Sequence, residues 1–382
     1  MKVYLVGGAV RDRLLDLPVV ERDWVVVGAT PDEMLTEGFR RVEGDFPVFL
    51  HPQTGDEYAL ARTEVKSGPG YQGFQVECGP DIRLQQDLLR RDLTINALAM
   101  DEAGNLIDVC HGEDDLREGL LRHITPAFIE DPVRLLRIAR FAAKLGRWGF
   151  RVAHGTHRLM KAMAASEDLM SLTSERIWRE MGRALAEPQP WRFFELLHGC
   201  GALQRLLPDV AAGMGVAAGH GKGESVAVMS ALKRAVAVTE DSAVRGAAAL
   251  FEAARQQRDP GLWMANLRLD KAVRLLLNDL LYFNRQTLDR GRAAPLLKLA
   301  MRLKPQQQPE RFRRFLQASR GLWPELMTRL APRLELAGEI VAAGAPAELT
   351  GSPLEGQALG QAIQAWRVAR LEEALRAMEA SN

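Results

Sequence analysis

The sequence predicts an α+β protein, a small mixed sheet in the first third followed by an almost entirely helical remainder. Three observations carry that prediction. Short β-branched apolar runs that end on glycine, VYLVG at 3–7 and WVVVG at 24–28, read as buried strands. From about Leu84 the apolar spacing changes to a helical period and keeps it through the rest of the chain. The interruptions fall on Gly/Pro clusters at 213–223, 304–309 and 342–353.

Between the first two strands, residues 10–17 place Leu14, Leu15 and Leu17 at helical spacing. A further strand pair is expected at 47–51 (PVFLH) and 57–62 (EYALAR), with Pro52–Gly55 as the hairpin turn. The glycine-rich segment 67–74 (SGPGYQGF) cannot form regular structure and is expected to be a mobile loop. Segment 107–116 (IDVCHGEDDL) ends a strand in a polar turn, with Asp108 and Gly112 as its notable positions. Amphipathic helices are expected at 84–99, 131–146, 155–165, 174–186, 190–199, 226–256, 270–285, 310–318 and 361–379.

A chain of 382 residues exceeds one compact core and predicts several structural units. No stretch approaches the ~18 uninterrupted apolar residues of a membrane helix. The opening apolar run meets Arg11 and Asp12 too soon for a secretory signal. Cys78, Cys110 and Cys200 match no zinc spacing and read as reduced thiols. Together these predict a cytoplasmic protein with no membrane contact. The formal charge of +1 hides an asymmetry: residues 1–100 carry 11 Lys+Arg against 16 Asp+Glu, and residues 201–382 carry 25 against 18. An acidic front suits bound metal, and a basic rear suits phosphate contacts without base reading.

The most specific motif is GGAVRDRLLDLPVVERDW, 7–24. A glycine pair after a strand lets backbone N–H groups approach a phosphate, with the next helix N-terminus aimed at the anion. Arg11 adds a planar fork for triphosphate oxygens. Glu21 and Asp23, two residues apart where the second strand begins, would share one face and could hold a divalent cation between them. Glu57, opening EYALAR, is the candidate third carboxylate. In RRDLTINALAM, 90–100, one reading makes Asp92 a helix N-cap and the arginines surface charge, and the functional reading pairs Arg91 with the triphosphate or the Asp23 region. In EDPVRLLRIARF, 130–141, Pro132 suits a first helical turn with Glu130 or Asp131 as cap, and Arg134, Arg137 and Arg140 form a stripe. A fixed Asp131 acceptor beside an Arg134 donor accepts cytosine and adenine, which offer an amino group next to a ring nitrogen, and rejects guanine and uracil.

These motifs, with DWVVVGATP, EYALARTE and SERIWRE in the same order, resemble those of the bacterial class II tRNA nucleotidyltransferases, the CCA-adding enzymes. The resemblance implies a polymerase-β-like head (1–125), a helical neck with the base template (126–200) and a helical body and tail (201–382). It implies Mg²⁺ on Glu21 and Asp23, beside which the strand position offers Glu57 as the third catalytic carboxylate. It also implies nucleotide binding by Gly8, Arg11, Arg91, Asp131, Arg134, Arg137 and Arg140. The expected reaction adds CMP, CMP and AMP from CTP and ATP to the 3′ end of tRNA, releasing pyrophosphate. The tRNA would be held at its acceptor stem and elbow, with no obligate protein partner. Segment 67–74 would be the loop tied to the switch from C to A addition, and 174–180 the motif that steadies the template helix.

Two departures stand out. The family's metal pair is Asp-x-Asp, and here Glu21 stands first, one methylene longer. The His-Asp phosphohydrolase often fused behind the head is not expected: beyond His198 only His220 remains, and no His-Asp dipeptide occurs. The glycine-rich 215–223 (GVAAGHGKG) has the wrong spacing for a phosphate loop. The alternative readings are a poly(A) polymerase or A-adding-only enzyme, and a non-catalytic RNA-binding relative.

Overall fold

The structure is a computed structural model that describes residues 1–42, 47–66, 68, 74–214, 228–285 and 292–380. The chain divides into two compact units, Met1–Leu207 and Pro208–Asn382. The first runs, in chain order, β1 (Lys2–Val6), α1 (Gly8–Leu14), β2 (Asp23–Val27), α2 (Pro31–Thr36), β3 (Arg40–Val42), β4 (Val48–Leu50), β5 (Glu57–Leu60), β6 (Arg62–Lys66) and β7 (Phe74–Cys78). It continues with α3 (Leu84–Leu89), β8 (Leu98–Met100), β9 (Leu106–Asp108), α4 (Gly112–Glu118), β10 (Leu120–Leu121), α5 (Val133–Leu145) and β11 (Arg151–Val152). Four helices close it: α6 (His154–Ala165), α7 (Ser174–Ala186), α8 (Trp191–Cys200) and α9 (Ala202–Leu206).

Among the described residues, seven strands form one sheet in the order β3-β4-β5-β2-β1-β8-β9. Only the β2–β5 pair is parallel, so the sheet is mixed, as expected. The continuous apolar run of β2 follows from burial on both faces. Val25 packs with Val6, Ala97, Ala99 and Leu88 on one side, while Val26 packs with Met34, Phe49 and Leu60 on the other. Burying each such valine contributes about 1.5–3 kcal/mol.

The helix expected at 84–99 stops at Leu89. Asp92 is no α-helical cap: its carboxylate accepts the N–H of Leu93 and the amide of Asn96, which bends the chain into a short 3₁₀ turn at Thr94–Asn96. The small apolar residues after it then enter the sheet as β8, paired with β1. Asp108 and Gly112 hold that bend in place. The Asp108 carboxylate accepts the N–H groups of Cys110, Gly112 and Glu113, and a Cβ at Gly112 would collide with the Thr94 carbonyl.

The regular elements among the described residues of the second unit are all helices: α10 (Pro208–Ala212), α11 (Val228–Val238), α12 (Ser242–Gln256), α13 (Pro260–Asn266) and α14 (Lys271–Arg285). Then come α15 (Ala293–Leu303), α16 (Pro309–Leu322), α17 (Pro324–Ala342), α18 (Ala347–Thr350) and α19 (Gly356–Ala380). The single helix expected over 226–256 is two, broken where the Asp241 carboxylate caps α12 through the N–H groups of Ala243 and Val244. Helices α13, α15 and α17 have no counterpart among the expected elements. The expected loop at 67–74 lies outside the described residues except for Gly68 and Phe74, and so does the glycine-rich 215–223 with His220. Among the described residues, no helix is long and apolar enough to cross a membrane.

Candidate active site

The strand register gathers the acidic and glycine motifs. Val6, the last residue of β1, faces Asp23 on one side and Ala99 on the other, and Asp23 in turn faces Glu57 on β5. Asp23 opens β2, whereas Glu21 precedes the strand, so the expectation that both carboxylates share one strand face does not hold. They are close enough to interact nonetheless. Burial pushes the Asp23 carboxyl above its usual value; Arg91 opposes that rise and Glu21 reinforces it. Glycine is required at 7, where φ is +69° and a Cβ would lie 2.8 Å from the Arg91 guanidinium. The Gly7 N–H donates to the Leu98 carbonyl at 3.0 Å, which corrects the expectation that both glycine N–H groups face an anion. Gly8 opens α1.

Buried pairing orients the cations. Arg11 is 3% exposed; it donates to Asp12 at 2.8 Å and to the Asn96 side-chain oxygen at 2.5 Å. Lys144 donates to the other Asp12 oxygen at 2.9 Å. Arg91 pairs at 3.0 Å with Asp87, which is fully buried. Burial opposes ionisation of Asp87, but Arg90 and Arg91 hold its carboxyl below the usual range.

Helix α5 buries Leu135, Leu136, Ile138, Ala139 and Ala142 and turns its arginines toward the site. Arg134 donates to the carbonyls of Arg90 at 3.0 Å and Ala127 at 3.3 Å, which leaves about three of its five donors for a ligand. Arg137 pairs with Asp92 at 2.7 Å, and Arg140 with Glu180 of α7 at 2.7 Å. The ring of Phe141 lies under three guanidinium groups, those of Arg11 at 5.2 Å, Arg137 at 5.9 Å and Arg140 at 4.6 Å. Asp131 precedes the helix, and one of its oxygens accepts the Val133 N–H at 3.0 Å. Burial raises its carboxyl above the usual value against the pull of that N–H, Arg134, Arg176 and Arg137.

All ten residues singled out from the sequence line one cleft of about 1610 Å³ in the first unit: Gly8, Arg11, Glu21, Asp23, Glu57, Arg91, Asp131, Arg134, Arg137 and Arg140. The same wall includes residues that sequence reasoning missed, among them Asp12, Asn96, Lys144, Arg179, Arg183 and Glu187. Asp12, Asn96 and Arg179 stand inside motifs already quoted and could have been found there; Lys144, Arg183 and Glu187 carry no local signal. Among the described residues, no group of three or more His, Cys, Asp and Glu side chains is placed to enclose a metal ion. Glu21 and Asp23 are an open, hard-oxygen pair whose mutual repulsion a divalent cation would relieve. That suits a cation completed by water and phosphate oxygens.

Residues 3–122 match the family model described as "Poly A polymerase head domain", and residues 149–214 match one described as "Probable RNA and SrmB- binding site of polymerase A". The chain is 45% identical to a CCA-adding enzyme of Pseudomonas putida over 97% of its own length and 99% of that protein's. It is 42% identical to a multifunctional CCA protein of Nitrosococcus oceani, over 98% and 99% of the two lengths. Its fold is similar to that of the Bacillus stearothermophilus CCA-adding enzyme in complex with CTP, with a TM-score of 0.66 at 21% identity, over 100% of this chain and 95% of that one.

Proposed function

This chain belongs to the CCA-adding enzymes, which are tRNA nucleotidyltransferases, and from that premise we propose how its cleft divides the work of transferring CMP, CMP and AMP from CTP and ATP to a tRNA 3′-hydroxyl. Enzymes with this kind of head generally use a divalent metal. Here Glu21 and Asp23 would hold it, with Glu57 beside them on the neighbouring strand and Mg²⁺ the cation that suits their oxygens. The chemistry a cation would supply there is activation of the attacking hydroxyl and neutralisation of triphosphate charge.

The chain's own residues do the rest. Gly8, Arg11 and Arg91 receive the triphosphate at the head of α1, while Arg137 and Arg140 complete its positive field. Asp131 accepts from the amino group of cytosine or adenine, and Arg134 donates to the adjacent ring nitrogen. The two carbonyls that hold Arg134 fix the angle of that donor. Glu180 of α7 steadies Arg140, and through it the template helix. The helical unit from residue 208 onward contacts the tRNA acceptor stem and elbow through backbone and shape. The protein works in the cytoplasm, needs no obligate protein partner and carries no phosphohydrolase activity.

One observation carries this reading: the acidic pair and the Asp131/Arg134 pair open into the same cleft. Incubation with tRNA lacking CCA and each labelled nucleotide tests it. Uptake of CTP and then ATP that stops after three residues is expected. Long A tails would point to a poly(A) polymerase, A addition alone to an A-adding enzyme, and binding without incorporation to a non-catalytic relative.

A further inference from the structure

At the far end of α5 from Asp131, the chain makes a tight turn, Gly146–Trp148, before entering β11. Trp148 is 40% exposed, lines the cleft and carries the Arg147 guanidinium over its ring at 3.9 Å. The turn is clamped on every side. A Cβ at Gly146 would strike the Arg192 side chain, and Gly149 takes the left-handed φ of +82° while its N–H donates to the Gly146 carbonyl at 3.0 Å. Beyond it, Arg192 donates to the Phe150 carbonyl at 2.9 Å, and Arg151 pairs with Leu120 across β10–β11. The backbone that carries this open aromatic side chain is thus fixed, so a partner would lose less entropy in meeting it than on a loose loop.

The same cleft wall carries Arg179 and Arg183, exposed side chains four residues apart on α7 and therefore on one helical face. An aromatic platform with a stacked guanidinium, flanked by exposed arginines, has the chemistry that binds single-stranded nucleic acid: ring on base, guanidinium on phosphate. The thirteen residues of α5 rise by roughly 20 Å between Asp131 and this turn, beyond the reach of the base held at the template.

We propose that Trp148 stacks on an unpaired base near the 3′ end of the acceptor RNA, on the ring face opposite Arg147, while Arg179 and Arg183 neutralise phosphates of the same strand. Trp148 is then a positioning residue for the RNA substrate rather than part of the nucleotide site. The proposal rests on the function above in taking tRNA as the substrate. It goes beyond that function in assigning a docking track to Trp148 and Arg183, which none of the motifs include, and to Arg179, which SERIWRE includes but for another role.

The test uses the full chain and tRNA ending in CC, with 2-aminopurine placed singly at each of the last three nucleotides. Fluorescence is read with protein and RNA alone, before nucleotide is added. Stacking is expected to quench one of the three positions in wild type and Trp148→Phe but not in Trp148→Ala. In steady state, Trp148→Ala is expected to raise KM for tRNA by about 5- to 150-fold, the range of one base–aromatic stack. Its kcat and its KM for ATP should stay within twofold, which also shows that the variant is folded. Arg179→Ala and Arg183→Ala should each reduce the slope of log(kcat/KM) against log salt by about 0.7. Quenching and KM for tRNA unchanged in Trp148→Ala would overturn the proposal. A wild type that shows Trp148-dependent quenching yet incorporates no nucleotide would overturn the catalytic reading and support the docking track.

Discussion

Removing Arg137 should weaken the first unit by an amount that the structure sets. Its guanidinium lies 2.7 Å from an Asp92 oxygen, with Asp92 buried at 7% exposure and the arginine 36% exposed. At an effective dielectric of 20, the gross attraction at this distance is roughly 6 kcal/mol. Burial opposes the Asp92 charge, yet Arg137 and the hydrogen bonds from Asn96, Arg137 and Leu93 hold the carboxyl far below the usual range. Arg137→Ala leaves that charge with only the Asn96 and Leu93 donors. Breaking one side of a buried pair costs about 3–5 kcal/mol, and the arginine's partial exposure puts this case at the lower end, about 3 kcal/mol. For a unit of this size the melting temperature should fall by roughly 6–12 °C. Adding Asp92→Asn should restore about 1–3 kcal/mol, because the stranded charge is gone while an amide keeps the Leu93 contact. Thermal melts of the two single variants and the double variant form the cycle. The reasoning fails if Arg137→Ala melts within 2 °C of wild type, or if the double variant is no more stable than Arg137→Ala. Because the Asp92 value is depressed in the fold, its stabilisation is complete above the unfolded value of 3.8. It is lost only as pH falls below that, so the variant gap should be flat from pH 5 to 8.

The same structure sets three further outcomes. Asp23→Asn should slow single-turnover CMP incorporation by at least about 100-fold, whereas Glu21→Asp should retain incorporation with an altered rate, since side-chain reach alone changes. Burial raises the Asp131 carboxyl, so its acceptor role is present above the raised value and is lost as pH falls through it. The ratio of kcat/KM for CTP over UTP should therefore drop in the acid range, at a higher pH than ionisation of an ordinary carboxyl would set. By the same sign, the ionised Asp131 lowers stability at neutral pH, and Asp131→Asn should melt at or above wild type while losing selectivity. Gly112→Ala, driven against the Thr94 carbonyl, should destabilise the first unit by about 2–4 kcal/mol in urea unfolding with protein fluorescence as the readout.

How far the sequence spoke for itself depended on where each residue's partners lie. Strands β1 and β2 were legible because burial on both faces demands unbroken apolar runs, and the Asp131–Arg140 stripe because helical spacing is local. The segment after Leu89 misled for a related reason. Its apolar spacing fits a helix, and only pairing with β1 draws Leu98–Met100 into the sheet. The supports of the site were hidden in the same way. Arg11 finds Asn96 85 residues away, Arg137 finds Asp92 across 45, and Lys144 reaches Asp12 across 132. Glu21 shows the opposite error, since a local strand rule was extended to a residue that lies before the strand.

The interior position of β1, between β2 and β8, has a consequence for how the head is made. Its two edges wait for partners that leave the ribosome at different times, Asp23 of β2 early and Ala99 of β8 much later. At roughly 5–20 residues per second, that interval lasts about 4–15 s. Throughout it, an interior strand of the finished sheet has one open edge, the state most exposed to mispairing with another chain. Gly7 donates its N–H to Leu98 on that late edge, so the turn that opens α1 gains its final anchor only with β8. A chain halted before residue 98 therefore holds every acidic residue proposed for the metal and still lacks a finished nucleotide cleft.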